Sequence, residues 1–227
     1  TACLALFKYL GLLIFPYPLT HDYYPHTFLL ASFGTPGALL GMLVYLAMLI
    51  WSLIKLKEKN TIAYGILFYI IALFPMSNLA VTVGTLMSER FLFIPSLGFC
   101  LIISYLLIKY LSKKKINNST YTFLILLFLL PGIWTVARNR VWKNNYIIFH
   151  NDIKYSPNSA KLNNSVGGIT MDSALHVQDT AVKRQMLEEA EKYLEKAIAL
   201  HPTYTDAYLL LGNTRFYAGK FDAAISA

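Results

Sequence analysis

The chain has 227 residues, of which 56% are hydrophobic and only 14% charged, with a mean hydropathy of +0.48; a soluble domain carries about 25% charge. This balance excludes an ordinary soluble enzyme, and it excludes disorder, which requires low hydrophobicity with high charge. The net charge of +8 is not a nucleic-acid footprint either, because residues 1–137 hold 9 of the 20 Lys+Arg and 3 of the 12 Asp+Glu, whereas residues 138–227 hold 11 and 9.

Five apolar stretches follow one another, at about residues 2–15, 36–54, 61–75, 91–110 and 121–137. A bilayer core takes roughly 17–25 apolar residues per helix, a length that the second, fourth and fifth supply. The third is short, and Pro75 is expected to end or bend it. Residues 76–88, with Ser77, Thr82, Gly84 and Thr85, read as a re-entrant or interfacial piece. Such a piece survives at membrane depth only where protein or water satisfies its backbone. Cys3 and Cys100 lie within apolar runs, so no disulfide between them is expected. The chain opens at Thr1 inside an apolar run and stops at Ala227 inside a helical pattern, and so reads as an internal piece of a longer protein.

Lysine and arginine set the expected topology. With alternating spans, Lys8, Lys55, Lys57, Lys59, Lys109, Lys113, Lys114 and Lys115 share one side. The positive-inside rule makes that side cytosolic. Residues 20–33, residues 75–90 and the tail then lie on the extracytoplasmic side, periplasmic or lumenal. Arg138, Arg140 and Lys143 argue the other way but are outnumbered. Lys113–Lys115 serve orientation first, with anionic-lipid contact as a second role.

The tail has repeat spacing. Ala190 and Ala224 are 34 residues apart, the tetratricopeptide period. Tyr208, Leu211, Gly212, Gly219, Phe221 and Ala224 fit one unit, with Pro202 ending the helix before it. Arg215 stands where that pattern usually has an aromatic, with Phe216 beside it. Val166, Gly167 and Ala190 mark an earlier unit lengthened by an insertion near residues 170–184. Leu187, Ala190, Leu194, Ala197 and Ile198 predict a helix over about 183–200. Glu188 and Lys192 form an i,i+4 pair worth roughly 0.3 kcal/mol. Two units are too few to close a solenoid, so more repeats are expected beyond Ala227.

No nucleotide-binding glycine loop, HExxH helix, paired-cysteine motif or Ser–His–Asp set is present, no cofactor is evident, and the metal requirement stays open. Charge beside membrane stands out instead. Asp22 lies in His21-Asp22-Tyr23-Tyr24-Pro25-His26, and Glu89 and Arg90 open the fourth stretch. Ionisable groups at a membrane are costly and often functional. Asp22 also reads as a solvated loop acid or helix cap. Glu89 and Arg90 also read as interfacial anchors, as do His21 and His26. On the repeats, Tyr208 and Asn213 are the candidate acceptor- or partner-binding residues. Asn117, Asn118 and Asn163 head glycosylation triplets, discounted because the first two face the cytosol in this topology and the third lies on a packed helix.

One order of motifs resembles a known family. Phe15-Pro16 precedes Leu19-Thr20-His21-Asp22-Tyr23. Then come Leu73-Phe74-Pro75-Met76-Ser77-Asn78-Leu79 and Ser88-Glu89-Arg90-Phe91-Leu92-Phe93-Ile94-Pro95-Ser96-Leu97-Gly98-Phe99, with repeats after one more span. This resembles the transmembrane and tetratricopeptide-repeat-containing (TMTC) proteins, whose similar segment reads Glu-Arg-x-Leu-Tyr-x-Pro-Ser. The resemblance implies a GT-C-type O-mannosyltransferase using a lipid-phosphate-linked sugar, with transfer site and repeats on the lumenal side. It implies a catalytic acid in an outer loop upstream of Thr1. Phe93 replaces the family's frequent Tyr.

The expected architecture is therefore all-α: residues 1–137 the C-terminal part of a multi-pass membrane domain, 138–157 a juxtamembrane linker helix, and 158–227 tetratricopeptide repeats, one with an insertion and one truncated. The expected function of the longer protein is transfer of a sugar, mannose first, from a polyprenyl- or dolichyl-phosphate donor to protein hydroxyls. Arg90, with Glu89 and Asp22, would bind the donor phosphate, and the repeats would hold a protein or peptide acceptor. This piece alone is expected to be inactive. The alternative is a non-enzymatic, membrane-anchored scaffold whose repeats recruit proteins. A transporter fits less well, since few charges lie within spans.

Overall fold

A computed structural model describes residues 1–20, 23, 35–80, 85, 87–113 and 117–226. Among these residues there are helices and no strands: α1 (Ala2–Ile14), α2 (Pro36–Leu56), α3 (Thr61–Leu73), α4 (Ser96–Leu111), α5 (Asn118–Val141), α6 (Asn145–Asp152), α7 (Ala160–Leu175), α8 (Thr180–Leu200), α9 (Thr205–Tyr217) and α10 (Phe221–Ile225). Short 3-10 turns cover Phe74–Met76 and Glu89–Leu92. The chain divides into two compact units, Thr1–Tyr17 with Ala31–Arg140, and Pro18–Leu30 with Val141–Ala227.

In the first unit α1 packs on α2, α2 on α3, and α3 on α4. Glycines make two of these contacts. A Cβ on Gly98 would lie 2.4 Å from the carbonyl oxygen of Gly65, and one on Gly41 would lie 2.3 Å from that of Cys3. Only a residue without a side chain permits such backbone approach, the packing that small residues give helices in apolar surroundings. Pro36 opens α2 at a position where its missing N–H is harmless. The Asn60 side chain caps α3, accepting from Ile62 N–H at 2.9 Å. Pro75 falls in the 3-10 turn that succeeds α3.

Among the described residues two helices, α2 with 21 residues and α5 with 24, are long and apolar enough to cross a membrane. The fourth stretch, expected to make a spanning helix from about residue 91, becomes helical only at Ser96 and has 16 residues. Pro95, its N-cap, is the reason. Proline inside a helix leaves a carbonyl without its donor and clashes with the preceding turn. At 1.5 Å per residue α4 is about 24 Å long, short of a hydrocarbon core of about 30 Å. α5 leaves no residue buried, and Ile125, Phe128 and Ile133 are among its exposed apolar side chains.

In the second unit α7 packs on α8, and α8 on α9. Leu187, Ala190, Leu194 and Ala197 form the buried stripe of α8, as their spacing predicts. Gly167 of α7 lies opposite, where a Cβ would fall 2.6 Å from Leu194 Cγ. Ile153, Leu162 and Val166, with Phe149 and Tyr193 beside them, form an apolar cluster. Ser159 caps α7 through Leu162 N–H, and Asp179 caps α8 through Ala181 N–H. Gly219, at φ +76°, closes α9. Lys220 N–H bonds the Arg215 carbonyl and Gly219 N–H bonds that of Phe216, the two bonds of a left-handed helix terminus.

Two local expectations change. Residues 138–157 are not one linker helix: α5 continues to Val141, a turn follows, and α6 starts after its cap Asn144. The Glu188 carboxylate is held by Arg184 at 3.2 Å, one turn before it, rather than by Lys192.

Candidate functional site

Glu89 and Arg90 lie on a 3-10 turn that precedes α4. Its N-cap, Ser88, is extended at φ −148°. Met87, Ser88 and Leu92 point inward and are buried, whereas Arg90, Phe93 and Ile94 are exposed. The turn thus anchors itself through its apolar residues and presents the guanidinium outward. Arg90 Nε reaches Ser88 Oγ at 3.4 Å. Glu89 is half-buried and makes polar interactions of its own.

The anchor comes from α1. The hydroxyl of Tyr9, a residue 1% exposed, accepts a hydrogen bond from Ser88 N–H at 3.0 Å and donates one to the Ser88 carbonyl at 3.2 Å. One side chain therefore satisfies both backbone groups of the residue before Glu89, where a buried unpaired group would be costly. A second tie links Asn78 to Thr85, three residues before Ser88. Asn78, at φ +56°, donates from its side chain to the Thr85 carbonyl at 2.9 Å. Ser77 closes the preceding turn by donating to the Phe74 carbonyl at 2.6 Å.

Tyr45 and Tyr69 extend the polar content of this unit. Tyr45 donates to the Leu6 carbonyl at 3.1 Å, and the hydroxyls of Tyr45 and Tyr69 bond to each other. With Tyr45 committed to Leu6, Tyr69 is the donor of that pair. Tyr9, Tyr45 and Tyr69 were not singled out by sequence reasoning. The available signal was a tyrosine in an apolar helix, since a buried phenol needs a partner.

Asp22, His21 and His26 fall outside the described residues. The structure therefore brings Glu89 and Arg90 together on one turn, with Asp22 left unplaced. Among the described residues no three His, Cys, Asp or Glu side chains gather as a metal-ligand set.

In the second unit, Tyr208 and Asn213 both lie on α9. Five positions apart, they are about 140° apart around the helix and do not share a face. Tyr208 is half-buried and donates to the Pro202 carbonyl at 3.1 Å, while Asn213 is exposed. The charged centre of this unit is Arg215. Its Nε bonds Glu191 at 2.7 Å and its guanidinium also reaches Glu195 at 2.8 Å, while Lys220 holds the other oxygen of Glu191 at 2.6 Å. Burial opposes ionisation of Glu191, but Lys220 and Arg215 outweigh it and hold the carboxyl below its usual value. Arg215 takes a position where an aromatic was expected, and it binds α9 to α8 through charge.

No family model and no solved structure matches the chain. Curated relatives do. The protein O-mannosyl-transferase TMTC3 of Mus musculus is 28% identical over 157 residues, 69% of this chain and 16% of that protein. TMTC1 of Homo sapiens is 26% identical over 160 residues, 70% of this chain and 17% of its own length. A shorter match, to tmtc2 of Xenopus laevis, is 33% identical over 108 residues, 46% of this chain and 13% of that one. The chain thus resembles the TMTC proteins over about 70% of its own length while spanning about a sixth of theirs.

Proposed function

We propose that this chain is part of a multi-pass membrane glycosyltransferase that moves a sugar, mannose first, from a polyprenyl-phosphate donor to protein hydroxyls. The observation that carries this reading is the outward guanidinium of Arg90, on a turn held by Tyr9 at the α4 end opposite Lys109. The leaving group of such a donor is a phosphate anion. A guanidinium held at the membrane edge orients it through a bidentate pair and stabilises the charge as it develops. Glu89 would position an acceptor hydroxyl or a neighbour of Arg90. The names of the relatives support the reaction class.

The second unit is read as tetratricopeptide repeats, with α7–α8 and α9–α10 as successive helix pairs. Support comes from the 34-residue interval between Ala190 and Ala224 and from the glycine contact of Gly167 with α8. Stacked pairs make a concave surface suited to an extended chain. Holding an acceptor there, on the extracytoplasmic side, raises its concentration at the transfer site.

The test uses the longer protein in membranes with radiolabelled polyprenyl-phosphate mannose or glucose. Label in protein that vanishes in Arg90→Ala and is not restored by Arg90→Lys supports the reading, because lysine keeps the charge and loses the fork. Transfer that survives Arg90→Lys refutes the bidentate role. No label with either donor, in a protein that still captures polypeptide through its repeats, favours the scaffold.

A further inference from the structure

An open groove of about 920 Å³ runs between α4 and α5. Its apolar wall includes Leu107, Phe123 and Leu127, and its polar rim includes Lys109, Lys113 and Asn117. Lys109, in the last turn of α4, and Lys113, two residues past its end at Leu111, both line this groove. No Asp or Glu lines the groove, and the sequence has none between Arg90 and Asp152. Neither lysine makes an ion pair among the described residues. Lys109 Nζ rests 5.7 Å above the ring of Tyr105, a contact that leaves its hydrogen-bond donors available.

The groove therefore combines an apolar trench with two cations at one end. That end is the one opposite Glu89 and Arg90 along α4. A ligand that fits must be anionic at its head and hydrocarbon behind it. A protein segment filling the same trench would have to bring its own acids to the rim.

We propose that this groove binds an anionic phospholipid, its headgroup phosphate between Lys109 and Lys113 and an acyl chain along Leu107, Phe123 and Leu127. Basic pockets between membrane helices recognise lipid headgroups in this way. The proposal rests on the membrane reading of the first unit and is independent of sugar transfer. It assigns these lysines a bound ligand as well as an effect on orientation.

The experiment reconstitutes the full chain in nanodiscs of phosphatidylcholine mixed with phosphatidylglycerol. Lipid retained after detergent release is then read by native mass spectrometry. Phosphatidylglycerol should be retained over phosphatidylcholine. Lys109→Gln/Lys113→Gln should weaken retention by about fivefold per lysine, while Lys55→Gln/Lys57→Gln, outside the groove, should leave it unchanged. Leu107→Trp, which fills the trench and keeps both lysines, should also displace the lipid. Equal retention of the two lipids, equal loss in both lysine pairs, or retention indifferent to Leu107→Trp would overturn the proposal. So would a polyprenyl phosphate displacing phosphatidylglycerol from the wild-type chain. Alkaline extraction separates the two premises: a chain stripped from membranes refutes the membrane reading, and an integrated chain without lipid preference refutes the groove alone.

Discussion

Tyr9 and Ser88 are 79 positions apart, yet one phenol hydroxyl takes the Ser88 N–H and gives its proton to the Ser88 carbonyl. The two bonds join α1 to the turn that carries Glu89 and Arg90. The placement of that turn therefore depends on a helix far away in sequence. Tyr9→Phe removes the oxygen and leaves both buried backbone groups unsatisfied. The expected loss is about 1–3 kcal/mol, read as a lower midpoint in thermal unfolding of the detergent-solubilised chain. Ser88→Ala keeps both backbone bonds and loses only the long contact to Arg90, so it should change the midpoint little. Equal effects of the two substitutions would refute the anchor.

The Gly65–Gly98 contact makes a second prediction. A methyl group on Gly98 would meet the Gly65 carbonyl oxygen at 2.4 Å and Tyr69 N at 3.0 Å. Backbone cannot rotate aside as a flexible side chain does, so α3 and α4 must separate. Gly98→Ala should destabilise by about 1–3 kcal/mol. Gly132→Ala, where a Cβ would meet nothing within 4 Å, should be neutral or stabilising, because alanine favours helix. Thermal unfolding of both variants checks the contrast.

A third prediction concerns pH. Glu191 has its carboxyl held below the ordinary value of 4.5 by Lys220 and Arg215, against the effect of burial. A folded value below the unfolded one contributes stability above the unfolded value, and the contribution is lost as pH falls through the folded value. Glu191→Gln should therefore lower stability at neutral pH and flatten its decline in the acid range below 4.5. Arg215→Ala should cost about 1–2 kcal/mol near neutral pH and much less once the carboxylates are protonated. Circular dichroism melts across that range are the measurement. A pH profile parallel to wild type would show that the network contributes nothing.

Sidedness gives a fourth prediction. The positive-inside reading puts Lys57 and Tyr204 on opposite faces of the membrane. Single cysteines at these positions, in a background with Cys3 and Cys100 replaced, should label from opposite sides with an impermeant thiol reagent. Labelling from one side would overturn the topology that assigns Arg90 and the repeats to the same side of the membrane.

The sequence by itself determined what repeats over short distances. Leu187, Ala190, Leu194 and Ala197 declared the α8 stripe because a helix brings such positions to one face. Pro75 marked the end of α3 because its ring removes a backbone donor and crowds the preceding turn. Pro95 carried the same information about the start of α4, but the unbroken apolar run around it concealed the boundary. What only the tertiary structure decided was which distant groups meet. Tyr9 finds Ser88, Tyr45 finds Tyr69, and Arg215 finds Glu191 across 24 positions. None of these pairs has a periodic signature, because each is selected by the need to satisfy a buried polar group or charge once the helices have packed.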